Sequence, residues 1–195
     1  MPLCFAYGSN MDRMAMAARC PQSKAVGRAS LPRHRLIIMQ EGYASVLRDP
    51  RQSVHGVLWD IALADMRALD HYEGVTQGLY RKVIQPVLRE GGGSARALVY
   101  IGRGTQGGQA RPGYLQGILA AAREWDLPEP YLRQLQALSK GMRLSGPKSM
   151  QGEGGKGKAS EGEASENKTS QKSLAGEGPV KGVRARYSSP LGQRD

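Results

Sequence analysis

Leu3 to Tyr7 is a continuous apolar run that stops at Gly8-Ser9-Asn10. A short apolar run bounded by turn residues predicts a buried strand. Gly tolerates positive φ, and Ser and Asn favour turns and helix caps. A short helix is predicted next, from Met11 to Ala18, ended by Cys20-Pro21. Pro32 to Gln40 carries Leu36-Ile37-Ile38-Met39 and predicts a buried strand. Ala44 to Leu47 predicts a second, short one, closed by the turn-like Asp49-Pro50. Val54 to Ile61 alternates its faces and predicts a strand, with Gly56 where another backbone comes close. Leu63, Met66, Leu69 and Asp70 recur at helical spacing up to His71, with Asp65 near the start. Tyr80 to Leu88 and Ala97 to Ile101 flank Gly91-Gly92-Gly93 and predict a hairpin. Two helices follow, Tyr114 to Trp125 and Pro130 to Leu138, joined by Asp126-Leu127-Pro128. Strands interspersed with helices in this order imply an α+β domain around a curved, largely antiparallel sheet.

Composition divides the chain. Between Gln151 and Ser173 there is no Leu, Ile, Val, Phe, Tyr or Trp. Such a stretch cannot bury enough apolar surface to offset the entropy of ordering. The expected organisation is a folded domain over 1–138 and a disordered, basic, low-complexity tail over 139–195. The net charge of +11 is shared, with 11 Lys+Arg against 6 Asp+Glu in the tail and the rest in the domain. A pI near 10 permits general attraction to polyanions but names no partner. No basic-aromatic strip of the kind that reads RNA is present, so no specific nucleic-acid partner is expected. Two cysteines, Cys4 and Cys20, make neither a disulfide framework nor a metal site. No window approaches a membrane span and no basic-then-apolar leader opens the chain, so the default expectation is a cytoplasmic, reducing location.

Two segments carry candidate chemistry. In the first, Tyr7-Gly8-Ser9-Asn10, a tight loop between strand and helix aims backbone N–H groups at one point. There they can hold an anion or a developing oxyanion. The second is Leu69-Asp70-His71-Tyr72-Glu73-Gly74, which puts a carboxylate at a helix end beside a Gly. A carboxylate there is either a solvated side chain or a proton carrier. His34, His55 and His71 lack metal-ligand spacing and read as surface or packing residues, with His71 close enough to Glu73 to tune it. Ser9 has no His/Asp partners for a triad. Arg33-His34-Arg35 reads as a solvated strand start, and the Gly-rich stretch from Gly102 to Gly108 lacks the Lys-Ser/Thr pair of a phosphate loop.

With Val54-His55-Gly56-Val57-Leu58-Trp59, Gly78-Leu79-Tyr80, Pro112-Gly113-Tyr114 and Leu127-Pro128-Glu129-Pro130-Tyr131 in the same order, these segments resemble the γ-glutamylcyclotransferase family. The resemblance covers most of residues 3 to 138 and leaves the tail outside. It implies a small mixed, largely antiparallel β-barrel with flanking helices. It also implies a lyase of glutathione metabolism that takes a small γ-glutamyl substrate and needs no metal, cofactor or protein nucleophile. The substrate's own α-amine attacks its γ-carbonyl, releasing 5-oxoproline and an amine or amino acid. By resemblance Glu73 is the catalytic acid/base, and Tyr7, Gly8, Ser9 and Asn10 cradle the γ-glutamyl group. Tyr80 and Tyr114 match aromatics near the substrate. Tyr7, Tyr80 and Tyr114 are read equally well as packing tyrosines with satisfied hydroxyls. Val75, Leu79 and Tyr72 are expected to wall Glu73. The loops around Gly42-Tyr43 and Arg103 to Arg111 are expected to select the leaving group. Another class of function fits the same fold: a non-catalytic module that binds γ-glutamyl-like ligands or a protein. A third is nucleic-acid binding through the tail. Oligomeric state is left open by the sequence.

Overall fold

The computed structural model describes residues 1–104 and 106–140. The expected disordered tail lies outside the described residues, apart from Ser139 and Lys140 at its start. Five strands close into a barrel in the order β1-β3-β2-β4-β5, with β5 returning to β1. They are β1 (Leu3–Ala6), β2 (Lys24–Ile38), β3 (Ala44–Asp60), β4 (Tyr80–Arg89) and β5 (Ser94–Gly102). Every neighbouring pair is antiparallel except β1 and β5, which are parallel. The helices are α1 (Arg13–Arg19), α2 (Met66–Tyr72), α3 (Tyr114–Glu124) and α4 (Glu129–Ser139). Among the described residues no helix is long and apolar enough to cross a membrane.

The arm formed by β2 and β3 departs from the sequence reading. Two short strands separated by a turn were expected across Ala44 to Ile61, yet β3 runs unbroken for 17 residues. Asp49-Pro50 does act locally, since Asp49 accepts from Arg51 N and Gln52 Nε2. The result is a bulge and not a reversal. Opposite it, Arg33 adopts φ 61, so that pairing resumes as His34↔Arg48 on one side and Pro32↔Ser53 on the other. Arg33-His34-Arg35 is therefore mid-strand, not a solvated strand start. His34 is buried, with Nδ1 2.8 Å from the Pro32 carbonyl. The first half of β2, from Lys24, escaped detection because its outer residues are exposed and carry little apolar periodicity.

The helix α2 begins three residues later than Leu63, which is exposed. Asp65 has been drawn elsewhere: its carboxylate accepts from Gln22 N at 2.9 Å and Ser23 Oγ at 2.8 Å. The hairpin of β4 and β5 is present as expected, and Gly91, Gly92 and Gly93 all take positive φ. The barrel interior is filled by Phe5, Leu31, Val54, Leu58 and Val99, and α3 covers one side with Leu115, Ile118, Ala121 and Ala122. Met11, fully buried, is tied to α3 by the Trp125 indole, which donates to the Met11 carbonyl at 2.7 Å. That bond fixes the loop leaving β1 against the helix layer.

Candidate active site

β1 ends at Ala6, and Tyr7 still points into the core. Gly8 then opens a single tight turn, Ser9–Met11, closed by Met11 N to Gly8 O at 3.0 Å and Asp12 N to Ser9 O at 3.2 Å. Asp12 caps α1 by accepting from Ala15 N at 2.9 Å. The N–H groups of Gly8, Ser9 and Asn10 donate to no other group among the described residues. Three consecutive unpaired donors in a tight turn form a site that favours negative charge.

Glu73 closes α2. Its N–H reaches Leu69 O at 3.0 Å, Gly74 N reaches His71 O at 3.1 Å, and Val75 N reaches Asp70 O at 3.1 Å. This is the Schellman arrangement, and it requires the left-handed residue that Gly74 supplies with φ 62. The helix thus stops at Glu73 and turns its side chain toward the β1 loop. There Glu73 Oε1 accepts from the Asn10 amide at 2.5 Å, across 63 residues of sequence. The two segments that carried the candidate chemistry meet through that bond.

Burial pushes the Glu73 carboxyl up from 4.5 to about 7. Arg19 and the Asn10 amide pull it back toward ionisation, and Asp70 opposes them. Val75 and Leu79 are partly buried and pack against the core. Tyr72 is exposed, with its hydroxyl 3.0 Å from Ser9 Oγ. Arg19 stacks over the Tyr72 ring, 3.3 Å from the centroid, and donates to Asn10 Oδ1.

The tyrosines divide by where their hydroxyls point. Tyr7 is buried and donates to the Tyr100 carbonyl, the arrangement of a packed core aromatic. Tyr80 is also buried and donates to the Ala44 carbonyl at 2.5 Å. Tyr114 differs: its hydroxyl accepts from Ala44 N at 3.1 Å, and its own proton has no acceptor among the described residues. A Cβ placed on Gly8 would lie 3.3 Å from that hydroxyl. Tyr114 therefore holds a donor at the face of the Gly8 loop, and burial keeps the phenol protonated by pushing its pKa far up. The loops expected to select the leaving group also come together. Tyr43 meets Tyr114 edge to face at 5.6 Å, Arg111 lies 4.5 Å from the Tyr43 centroid, and Arg111 N donates to Gly42 O at 3.2 Å.

Other candidates stand apart. His55 packs on Tyr131, with centroids 5.1 Å apart, and burial lowers its pKa. His71 is exposed on α2. Cys20 is buried beside Asp65, and its thiol is pushed up to about 11, chiefly by burial, so it holds no thiolate at neutral pH. Arg19 was not anticipated from sequence. A basic residue in the last turn of a helix is ordinary, and nothing along the chain ties it to Asn10.

Known proteins resemble this chain in sequence and in fold. Residues 53–135 match the AIG2-like family. The chain is 27 % identical over 146 residues to a human (Homo sapiens) γ-glutamylcyclotransferase, spanning 70 % of this chain and 78 % of that one. The γ-glutamylcyclotransferase of Mus musculus is 28 % identical over the same shares. A solved structure of a γ-glutamyl cyclotransferase superposes with a TM-score of 0.66 at 24 % identity, covering 78 % of this chain and 92 % of that one, and that likeness concerns the fold. The uncharacterized protein loc79017 from Homo sapiens superposes equally well, with a TM-score of 0.66 at 25 % identity, covering 76 % and 93 % of the two chains.

Proposed function

We propose that the chain acts as the γ-glutamylcyclotransferases it resembles in sequence are named to act, cleaving a γ-glutamyl amide by internal cyclisation and releasing 5-oxoproline and a free amine or amino acid. The observation that carries this reading is the Asn10–Glu73 bond, which joins a carboxyl of pKa about 7 to a loop with three free N–H groups. Most γ-glutamyl substrates present their α-amine as an ammonium at neutral pH. Glu73 takes one proton from it, and the amine nitrogen attacks the γ-carbonyl carbon. The ring C–N bond forms and the negative charge moves to the carbonyl oxygen. When the tetrahedral centre collapses, the outer C–N bond breaks and Glu73 returns its proton to the departing amine. The ring nitrogen then gives its second proton to the regenerated Glu73 carboxylate, which passes it to the freed amine or to solvent and leaves the neutral lactam. One carboxyl serves both transfers because its pKa lies near the working pH. The N–H groups of Gly8, Ser9 and Asn10 suit the oxyanion or the substrate α-carboxylate. Ring closure within one bound molecule removes much of the entropic cost of bringing amine and carbonyl together.

Tyr114 supplies the remaining donor at the loop face, whereas Tyr7 and Tyr80 shape the wall through their rings. Replacing Tyr114 with Phe is expected to reduce kcat/KM about tenfold, mainly through KM, as for loss of one hydrogen bond to the ligand. Steady-state kinetics at saturating and limiting substrate separate the two parameters. The reading as a whole is tested by incubating the full chain with γ-glutamyl-alanine and measuring 5-oxoproline and alanine. Equimolar release of both is expected. No release from γ-glutamyl-alanine or from a panel of other γ-glutamyl amino acids and γ-glutamyl amines would leave the fold as a binding module.

A further inference from the structure

A run of side chains links helix α1 to Glu73. Arg19, in the last turn of α1, donates to Oδ1 of Asn10, and the Asn10 amide nitrogen donates to Glu73 Oε1. Arg19 is held from the other side by its stack on Tyr72, whose hydroxyl is 3.0 Å from Ser9 Oγ. An Asn amide has one accepting end and one donating end, and its neighbours decide which way it faces. A guanidinium offers donors only and does not lose its proton. With Arg19 against one end, the Asn10 oxygen must face Arg19 and the nitrogen must face Glu73. Turned over, the amide would press two donors together and set its oxygen against a carboxylate.

We infer that Arg19 is a positioning residue: through Asn10 it forces a hydrogen-bond donor onto Glu73, keeping the base ionised and aimed at the Gly8 loop. This rests on the reading of Glu73 as the proton carrier. It also narrows the expected part of Asn10, whose side chain serves the base and leaves only its backbone N–H for the substrate. The other groups facing Glu73 do not replace Arg19. Asp70 of α2 raises Glu73, and its own carboxylate is engaged by Lys82 of β4 at 2.7 Å and Tyr100 of β5 at 2.7 Å. The phenols of Tyr7, Tyr80, Tyr100 and Tyr114 and the thiol of Cys4 are all pushed up, mainly by burial, and stay neutral near pH 7. His71 and Tyr72 flank Glu73 on the exposed side of α2.

The test uses the full chain and reads the Glu73 carboxyl directly, by infrared difference titration against Glu73→Gln, alongside the pH profile of kcat/KM on γ-glutamyl-alanine. In Arg19→Met the carboxyl titration is expected to move up by about one pH unit, as for loss of one nearby cation. The acid limb of activity should move with it, while KM changes little. Arg19→Lys keeps a charged donor and is expected to restore at least half of the shift. A Met variant that titrates like the parent overturns the inference, and so does a Lys variant that titrates like Met. Should Arg19→Met fail to fold, Asn10→Ala leaves the stack on Tyr72 in place and must give the same upward shift; an unmoved titration there also overturns it. If neither γ-glutamyl-alanine nor the wider panel of γ-glutamyl amino acids and amines is turned over, the proposed reaction fails while the titration still decides the role of Arg19.

Discussion

Glu73→Gln is expected to abolish most turnover, lowering kcat by roughly 10²- to 10⁴-fold, the usual contribution of a positioned acid/base. The amide keeps the shape of the side chain and can still accept from Asn10, so the fold should survive. It cannot carry a proton between the substrate amine and the leaving nitrogen. Stability gives an independent reading of the same residue. In the unfolded chain Glu73 ionises near 4.5, whereas in the fold it ionises near 7. A carboxyl with a raised folded value favours the native state only while protonated, so the parent protein loses stability as the pH rises through 4.5 to 7. The Gln variant carries no such charge. It should match the parent near pH 4 and exceed it at pH 8 by on the order of 1–3 kcal/mol. Thermal melts at the two pH values check this. A Gln variant that turns over at the parental rate removes Glu73 from the mechanism. A stability difference that does not change with pH means the carboxyl is not held in an apolar setting.

How far the site could be read along the chain depended on whether local chemistry reported it. Gly74 and the three glycines from Gly91 announced a helix stop and a hairpin, and each takes the positive φ that such a turn demands. Gly8 announced the tight loop but sits at φ -119, not the positive φ expected, and is set apart by the Tyr114 hydroxyl, 3.3 Å from where a Cβ would lie. The encounter of Asn10 with Glu73 was inferred only by resemblance, since no local pattern encodes a contact 63 residues apart. Arg19 stayed hidden for the same reason. The tyrosines could not be sorted beforehand because burial and periodicity do not say where a hydroxyl points. Tyr7 and Tyr80 spend theirs on backbone carbonyls, and Tyr114 receives a bond instead of giving one. Asp49-Pro50 misled because its turn chemistry is real but absorbed, with Arg33 across the ladder taking up the extra residues.

Gly56→Ala should do more damage to the fold than any surface change, because the site depends on one close approach. Gly56 lies inside β3, one residue before Val57, which pairs with Ala6. A Cβ on Gly56 would sit 2.1 Å from the Ala6 carbonyl oxygen and 3.0 Å from Phe5 Cζ. The first contact is with backbone, which cannot swing aside as a side chain can. Adding one methyl group must therefore push β1 off β3 or distort the barrel seam. Over-packing of this kind costs typically about 1–3 kcal/mol and more where backbone must move. The Ala6 end of β1 feeds straight into Tyr7, Gly8, Ser9 and Asn10, so displacement there also carries the loop away from Glu73. The expected result is a urea midpoint well below that of the parent, and lost activity in whatever fraction remains folded. Gly117→Ala is the matched control, since a Cβ at that position on α3 meets nothing within 4 Å. It should stabilise the protein by up to about 1 kcal/mol through helix propensity. If both variants unfold at the parental midpoint, β1 and β3 are not in the contact that places the loop. If only Gly56→Ala falls, the glycine in that strand is there for the approach of the strand that carries the loop.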